Sequence, residues 1–134
     1  MNESAKQLES MGFICSGEWY LEGVQIKYAL HRNENACNIL YSFIISGAVM
    51  YIGKTVQPLS RRMYGYQNPA PTQSTNIKGN QRIKEALQSG NAVEIYTLPD
   101  NGLLYYGGFH VNLAAGLEDS LIKGIKPAWN GSSG

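Results

Sequence analysis

Between Ile39 and Tyr66 the chain gathers Tyr41, Tyr51, Lys54, Arg61, Arg62, Tyr64 and Tyr66. Phenol hydroxyls can position or deprotonate a water, and fixed cations can offset charge developing on phosphoryl oxygens. This mixture of side chains therefore suits phosphodiester chemistry. The stretch holds no acid of its own. No Asp or Glu occurs between Glu34 and Glu85, whereas Lys54, Arg61, Arg62, Lys78, Arg82 and Lys84 all fall inside that interval. A polyanion would meet a field of one sign there, although the net charge of the chain is only +1. A carboxylate to complete the set must come from elsewhere, and Glu118 is the candidate.

The elements that must position these residues can be read from periodicity. Strands over 38–45 and 48–52 form a hairpin around Ser46-Gly47. Alternation puts Tyr41, Phe43 and Ile45 on one face, with Leu40, Ser42 and Ile44 on the other. Parity adds a constraint. Tyr41 and Tyr51 share a face only if the residue numbers of paired positions sum to an even value. The turn must then be odd in length, or an equivalent bulge must intervene. Pro58 opens a helix in a first-turn position, with Leu59, Met63 and Tyr66 as its apolar stripe. Arg62 lies about 60° from Leu59 around that helix and Arg61 about 160° away, so Arg62 is the arginine that reaches a site beneath it. Arg62 and Tyr66, four apart, share a face.

Before this stretch, Ala5, Leu8 and Met11 mark a short amphipathic helix over 2–11, with Ser4 as N-cap and Gly12 as its stop. Residues 18–21 and 25–30 read as a hairpin around Glu22-Gly23, with Trp19, Tyr20 and Tyr28 as packing residues and His31 as a structural histidine. After it, 67–76 reads as a loop. A helix over 79–89 carries Ile83 and Leu87 inward and Lys78, Arg82 and Lys84 outward. Residues 93–98 form a strand closed by a turn at 99–102, and 103–109 is ambiguous because of Gly107-Gly108. Asn112 caps a last helix in which Leu113, Leu117 and Leu121 are buried and Glu118 sits at the stripe's edge. Gly124 and Pro127 stop that helix, and 131–134 is a flexible tail.

At 134 residues the chain fits one domain, and 43% hydrophobic with 16% charged residues excludes a disordered chain. Cys15 and Cys37 lack metal-ligand spacing and read as buried reduced thiols. The N-terminus lacks a signal-peptide pattern, so the expected location is cytoplasmic. The apolar run 39–53 is too short to span a bilayer, and no membrane association is expected. Gly53-Lys54-Thr55 imitates the end of a phosphate-binding loop, but Gly47 is one residue too far upstream and the segment lies in a hairpin.

Ile39-Leu40-Tyr41, Tyr51-Ile52-Gly53, Leu59-Ser60-Arg61-Arg62, and Glu118-Asp119-Ser120-Leu121-Ile122 followed by Asn130 resemble, in order and spacing, the motifs of the GIY-YIG nuclease family. The resemblance covers residues 38–130, with Ile-Leu-Tyr standing where the family has Gly-Ile-Tyr. It implies an α+β fold, a small central antiparallel sheet flanked by helices, with residues 1–37 as an N-terminal helix and β-hairpin extension. It also implies a metal-dependent DNA endonuclease that uses Mg²⁺ or another divalent cation such as Mn²⁺. Tyr41 and Tyr51 match the two motif tyrosines, Arg62 the arginine of Leu-x-x-Arg, Tyr66 the His/Tyr one turn later, Glu118 the metal-binding glutamate and Asn130 the late asparagine.

Under this resemblance Glu118 holds the metal, Arg62 neutralises phosphoryl charge, and Tyr41 or a water it orients acts as base. An ordinary phenol has a pKa of about 10, so Tyr41 needs a cation beside it, and Lys54 is the expected one. Tyr51 and Tyr66 position water and phosphate, while Arg61, Lys78, Arg82, Lys84 and Asn130 are the expected nucleic-acid contacts. DNA is the expected partner, and cutting both strands in a restriction-like manner requires a homodimer or two sequential nicks. Two alternatives stand beside this reading: a catalytically inactive or partner-directed nucleic-acid-binding module, and a nuclease acting on RNA.

Overall fold

The strand Ile39–Ile45 is buried from end to end apart from half-buried Ile45. Only a strand covered on both faces tolerates so continuous an apolar run. The computed structural model, which describes residues 3–100 and 102–131, supplies both covers. In chain order the elements are α1 (Ser4–Ser10), β1 (Ile14–Glu22), β2 (Gln25–Leu30), β3 (Ile39–Ile45), β4 (Ala48–Thr55), α2 (Leu59–Gln67), α3 (Ser74–Gln88), β5 (Val93–Pro99), β6 (Tyr105–Tyr106), β7 (Phe109–His110) and α4 (Leu113–Ile125). Five strands form one antiparallel sheet in the order β2-β1-β5-β3-β4, and β6-β7 form a separate small hairpin.

The alternation expected for β3 sorts the core. Ile39, Tyr41 and Phe43 pack with Leu59, Met63, Tyr66 and Ile83 of α2 and α3. Leu40, Ile44 and Ile52 pack on the opposite face with Leu8 of α1 and Ala114 and Leu121 of α4. The N-terminal hairpin joins this sheet directly, because β1 pairs with β5 from Ile14↔Thr97 to Trp19↔Val93. Trp19 is buried in the core and Tyr20 is exposed.

The parity condition is met by a bulge. Ile45↔Ala48 and Ile44↔Val49 pair across a two-residue turn, in which Ser46 and Gly47 both take left-handed φ values of 50° and 81°. That turn matches the right-handed twist of a hairpin but would put the phenols on opposite faces. The register then shifts, Met50 is left over, and Phe43↔Tyr51, Ser42↔Ile52 and Tyr41↔Gly53 follow. Tyr41 and Tyr51 consequently face the same way, with ring centroids 6.2 Å apart.

Several element ends differ from the sequence expectation. Ser4 lies inside α1 and does not cap it; its Oγ accepts a hydrogen bond from the Val49 N–H at 2.9 Å, tying α1 to β4. Met11, expected inward, is exposed. Pro58 is the N-cap of α2, one residue before the first turn. The helix α3 starts at Ser74, five residues earlier than expected, which leaves a loop over 68–73 in place of 67–76. Gln73 promotes that early start: its Oε1 accepts from the Ala70 N–H and from Asn76 Nδ2. Asn112 caps α4 as expected, its Oδ1 accepting from the Ala115 N–H. Gly124 is inside α4, and the left-handed residue that ends it is Lys126. Residues 132–134 of the expected tail and Asn101 of the expected turn lie outside the described residues. Among the described residues no helix is long and apolar enough to cross a membrane.

Candidate active site

Arg62 is the hub of the site. Leu59 and Met63 anchor α2 against the sheet, and that rotation aims Arg62 and Tyr66 at β3. Arg62 Nε donates to Tyr41 Oη at 3.1 Å, Nη2 to Tyr66 Oη at 2.9 Å, and Nη1 to Asn76 Oδ1 at 2.7 Å. The two phenol oxygens are themselves hydrogen-bonded at 2.7 Å. The guanidinium carbon lies 4.2 Å from the centroid of the Tyr66 ring. Burial opposes the charge on Arg62, but the phenol oxygens of Tyr41 and Tyr66 outweigh it and raise its pKa. The fork is therefore a permanent cation held in one orientation.

The same enclosure neutralises the tyrosines. Tyr41 is 1% exposed. Burial is the main cause that lifts its pKa well above the ordinary 10.0, neighbouring Tyr51 adds to the lift, and Arg62 only partly opposes it. Burial also raises Tyr66, reinforced by Tyr41. Two glycines make room for these rings. A Cβ on Gly53 would sit 2.6 Å from Tyr41 Cζ and Oη, and one on Gly79 would sit 2.6 Å from Tyr66 Cε1. Gly53 is thus required by the ring lying over it.

Tyr51 is the phenol that reaches the surface. It stacks on Phe43 at 5.7 Å and 24°. Beside it opens a cleft of about 310 Å³ whose lining includes Tyr51, Tyr66, Lys78, Arg82, Trp129 and Asn130. Lys78 is exposed, and Arg82 is fixed through Nη1, which donates to the Trp129 carbonyl at 2.5 Å.

Lys54 departs from its expected place. It pairs in register with Leu40, hence it lies on the α4 side of the sheet and away from Tyr41. Its Nζ is 3.7 Å from Glu118 Oε1, while Arg62 is the cation at Tyr41. Glu118, a quarter exposed, projects from α4 toward Lys54 on the α4 side of the sheet, away from Tyr41 and Arg62, and it is not among the cleft's lining residues. Among the described residues no cluster of three His, Cys, Asp or Glu is present. A hydrated Mg²⁺ needs only one or two carboxylates, its remaining sites being filled by water and substrate phosphate. Glu118 suits that donor set, with Lys54 as a competitor for one of its oxygens.

Of the other expected contacts, Lys78 and Arg82 line the cleft. Arg61 borders a separate shallow hollow with Tyr28, Ser60 and Tyr64, and half-buried Lys84 is not among the cleft's lining residues. Asn130 also lines the cleft, but its amide is engaged with the sheet. Its Oδ1 accepts from the Ile52 N–H and its Nδ2 donates to the Ile52 carbonyl, both at 2.9 Å, while the Trp129 N–H donates to Met50 at 2.7 Å. Both polar atoms of the amide are used to close the outer edge of β4, which would otherwise be open. Asn76, buried and bonded to Arg62, was not foreseen, because 67–76 carries loop composition.

No family model matches the sequence, and no curated protein sequence matches it. Solved structures do match. The E118A mutant of bacteriophage T4 EndoII superposes with a TM-score of 0.73 and 24% identity, over 94% of this chain and 98% of that one. Restriction endonuclease HPY188I in complex with product DNA superposes with a TM-score of 0.55 and 16% identity, over 90% of this chain and 80% of that one. These likenesses establish the fold, a GIY-YIG-like nuclease fold built on a five-stranded antiparallel sheet and four helices.

Proposed function

We propose that this chain is a divalent-metal-dependent endonuclease that hydrolyses DNA phosphodiester bonds in a restriction-like manner. The observation that carries the reading is Arg62, a guanidinium fixed by three hydrogen bonds, one of them to Tyr66, which lines a cleft together with Tyr51, Lys78 and Arg82. The nuclease fold supports it, and the DNA held by HPY188I favours DNA as the polymer.

Glu118 would hold the divalent cation, which when bound acts as a Lewis acid on the phosphoryl oxygen. The chain's own groups do the rest. Arg62 offsets charge that develops on the phosphoryl oxygens. Tyr51, the phenol open to the cleft, orients the attacking water. Tyr41 and Tyr66 stay neutral and hold Arg62 in place, which reverses the expected role of Tyr41 as base. Lys78 and Arg82 attract the strand, and Lys54 fixes the Glu118 carboxylate. Cutting both strands takes two copies or two sequential nicks. Cys15 and Cys37 are free, Cys15 half-buried and Cys37 exposed where burial was expected of both, and free thiols suit a reducing cytoplasm.

The test is cleavage of supercoiled plasmid and of single-stranded RNA, with Mg²⁺ or with EDTA. Wild type is expected to cut the plasmid only with metal, and both Arg62→Ala and Glu118→Ala to lose at least about 100-fold in rate. Near wild-type cleavage by either variant overturns the roles assigned. Binding without cleavage of either polymer makes the chain a nucleic-acid-binding module.

A further inference from the structure

The three most exposed large apolar side chains of the described chain, Tyr106, Phe109 and Leu103, lie close together, whereas the next, Val24 and Val56, stand apart in other turns. In and before the β6–β7 hairpin, Leu103, Tyr105, Tyr106 and Phe109 are 77%, 61%, 84% and 78% exposed. The hairpin is nonetheless built firmly. Gly107 and Gly108 take φ values of 61° and 84°, as a tight two-residue turn demands. At its base Asp100 accepts from the Gly102 N–H at 2.9 Å and the Leu113 N–H at 3.1 Å, and lies 3.7 Å from His110 Nε2. The Val111 N–H donates to Leu104 at 2.8 Å. A two-stranded ribbon of this size does not stand alone in water, and this one holds its aromatic rings away from the core.

We propose that the β6–β7 hairpin is the surface through which two copies of this chain associate. Charge selects the occupant. No Lys or Arg occurs between Lys84 and Lys123, so the hairpin lacks the cations that phosphate or an anionic membrane surface would require. A second copy asks for none: Tyr106 and Phe109, opposite one another in register, present a self-complementary aromatic patch to a two-fold axis. Alternation puts Tyr106 and Phe109 on one face of the ribbon and Tyr105 with His110 on the other, so Tyr106, Phe109 and the adjoining Leu104 offer on the order of 400 Å² per copy. Over two copies that is about 800 Å², the size of a small, reversible interface. The inference stands on this surface alone. It deepens the nuclease reading only in its consequence, because two copies bring two sites to one duplex.

The experiment is sedimentation equilibrium at micromolar concentration on wild type and on the double variant Tyr106→Ser/Phe109→Ser, with thermal melts of both. Expected are a wild-type dimer and a variant of half that mass with an unchanged melt. Hydrogen exchange on wild type adds a measurement that needs no variant: the amides of 103–111 should gain protection as concentration rises. A monomeric wild type, a variant that keeps the dimer mass, or exchange indifferent to concentration each overturns the proposal. A monomeric wild type whose DNA binding is lost in the variant would overturn it in favour of a nucleic-acid contact. None of these readouts depends on cleavage, so failure of the nuclease reading would be seen separately.

Discussion

Tyr41→Phe removes one atom from the centre of the site and separates two roles for that phenol. The oxygen accepts from Arg62 Nε at 3.1 Å and shares a hydrogen bond of 2.7 Å with Tyr66 Oη, in surroundings that exclude water. A hydrogen bond to a charged group is worth roughly 1.5–3 kcal/mol and a neutral one about 1 kcal/mol, so the variant should lose about 3 kcal/mol of stability. For a domain of this length that lowers the melting temperature by roughly 10 °C. Arg62 keeps its bonds to Asn76 and Tyr66, so the guanidinium stays near its position. Plasmid cleavage below the melting transition should therefore fall by only about 10- to 100-fold, the size expected for looser positioning. A loss beyond about 10⁴-fold in a folded variant would mean that Tyr41 transfers a proton, refuting the assignment. An unchanged melting temperature would refute the network itself. The pH dependence has a definite sign. Tyr41 and Tyr66 titrate above the ordinary 10.0 in the folded chain, whereas the unfolded chain ionises them from that value. Stability is full below about pH 10 and falls as pH rises beyond it, less steeply in Tyr41→Phe, which has one fewer phenol to ionise.

Three further outcomes are expected. Asn76→Ala should lower the cleavage rate about 10-fold with little change in substrate KM, while Asn76→Asp, which keeps an acceptor for Arg62 Nη1, should restore most of it; steady-state kinetics decides. Gly79→Ala ordinarily stabilises a helix by up to about 1 kcal/mol, but here the added methyl meets Tyr66, so the urea midpoint should fall. Asn130→Ala should cost about 1–2 kcal/mol and speed amide exchange at Ile52, since that N–H loses its acceptor on Asn130; unchanged exchange at Ile52 would contradict the edge closure.

Much of this arrangement is legible in the sequence where one strong local signal decides. Alternation sorted Tyr41 from Leu40, helical angles favoured Arg62 over Arg61, and Asn112 announced its own cap. What escaped depends on partners distant in sequence. Gln73 and Asn76 sit among Pro, Thr and Ser, and their role rests on side-chain partners that composition does not reveal: Ala70 and Asn76 for Gln73, and Arg62 of another helix for Asn76. Lys54 follows Tyr51 closely, yet strand parity sends its side chain to the opposite face, where Glu118 arrives from 64 residues later. Asn130 carries an amide that could serve a ligand or a strand edge, and composition does not choose between them. The burial of Tyr41 was implicit in the continuous apolar character of β3, although the chemistry drawn from its phenol assumed access.

The bulge at Met50 has a consequence for descent. It divides β4 into two halves of opposite phase, so the inward and outward positions before it do not continue the pattern after it. A relative that gained one residue in the turn could dispense with the bulge and keep both phenols facing inward. One that lost a residue from either place alone would turn Tyr51 out of the cleft. Insertions and deletions between Ile45 and Tyr51 should therefore survive in compensating pairs, and an alignment that places its gap without regard to phase will equate residues that point in opposite directions.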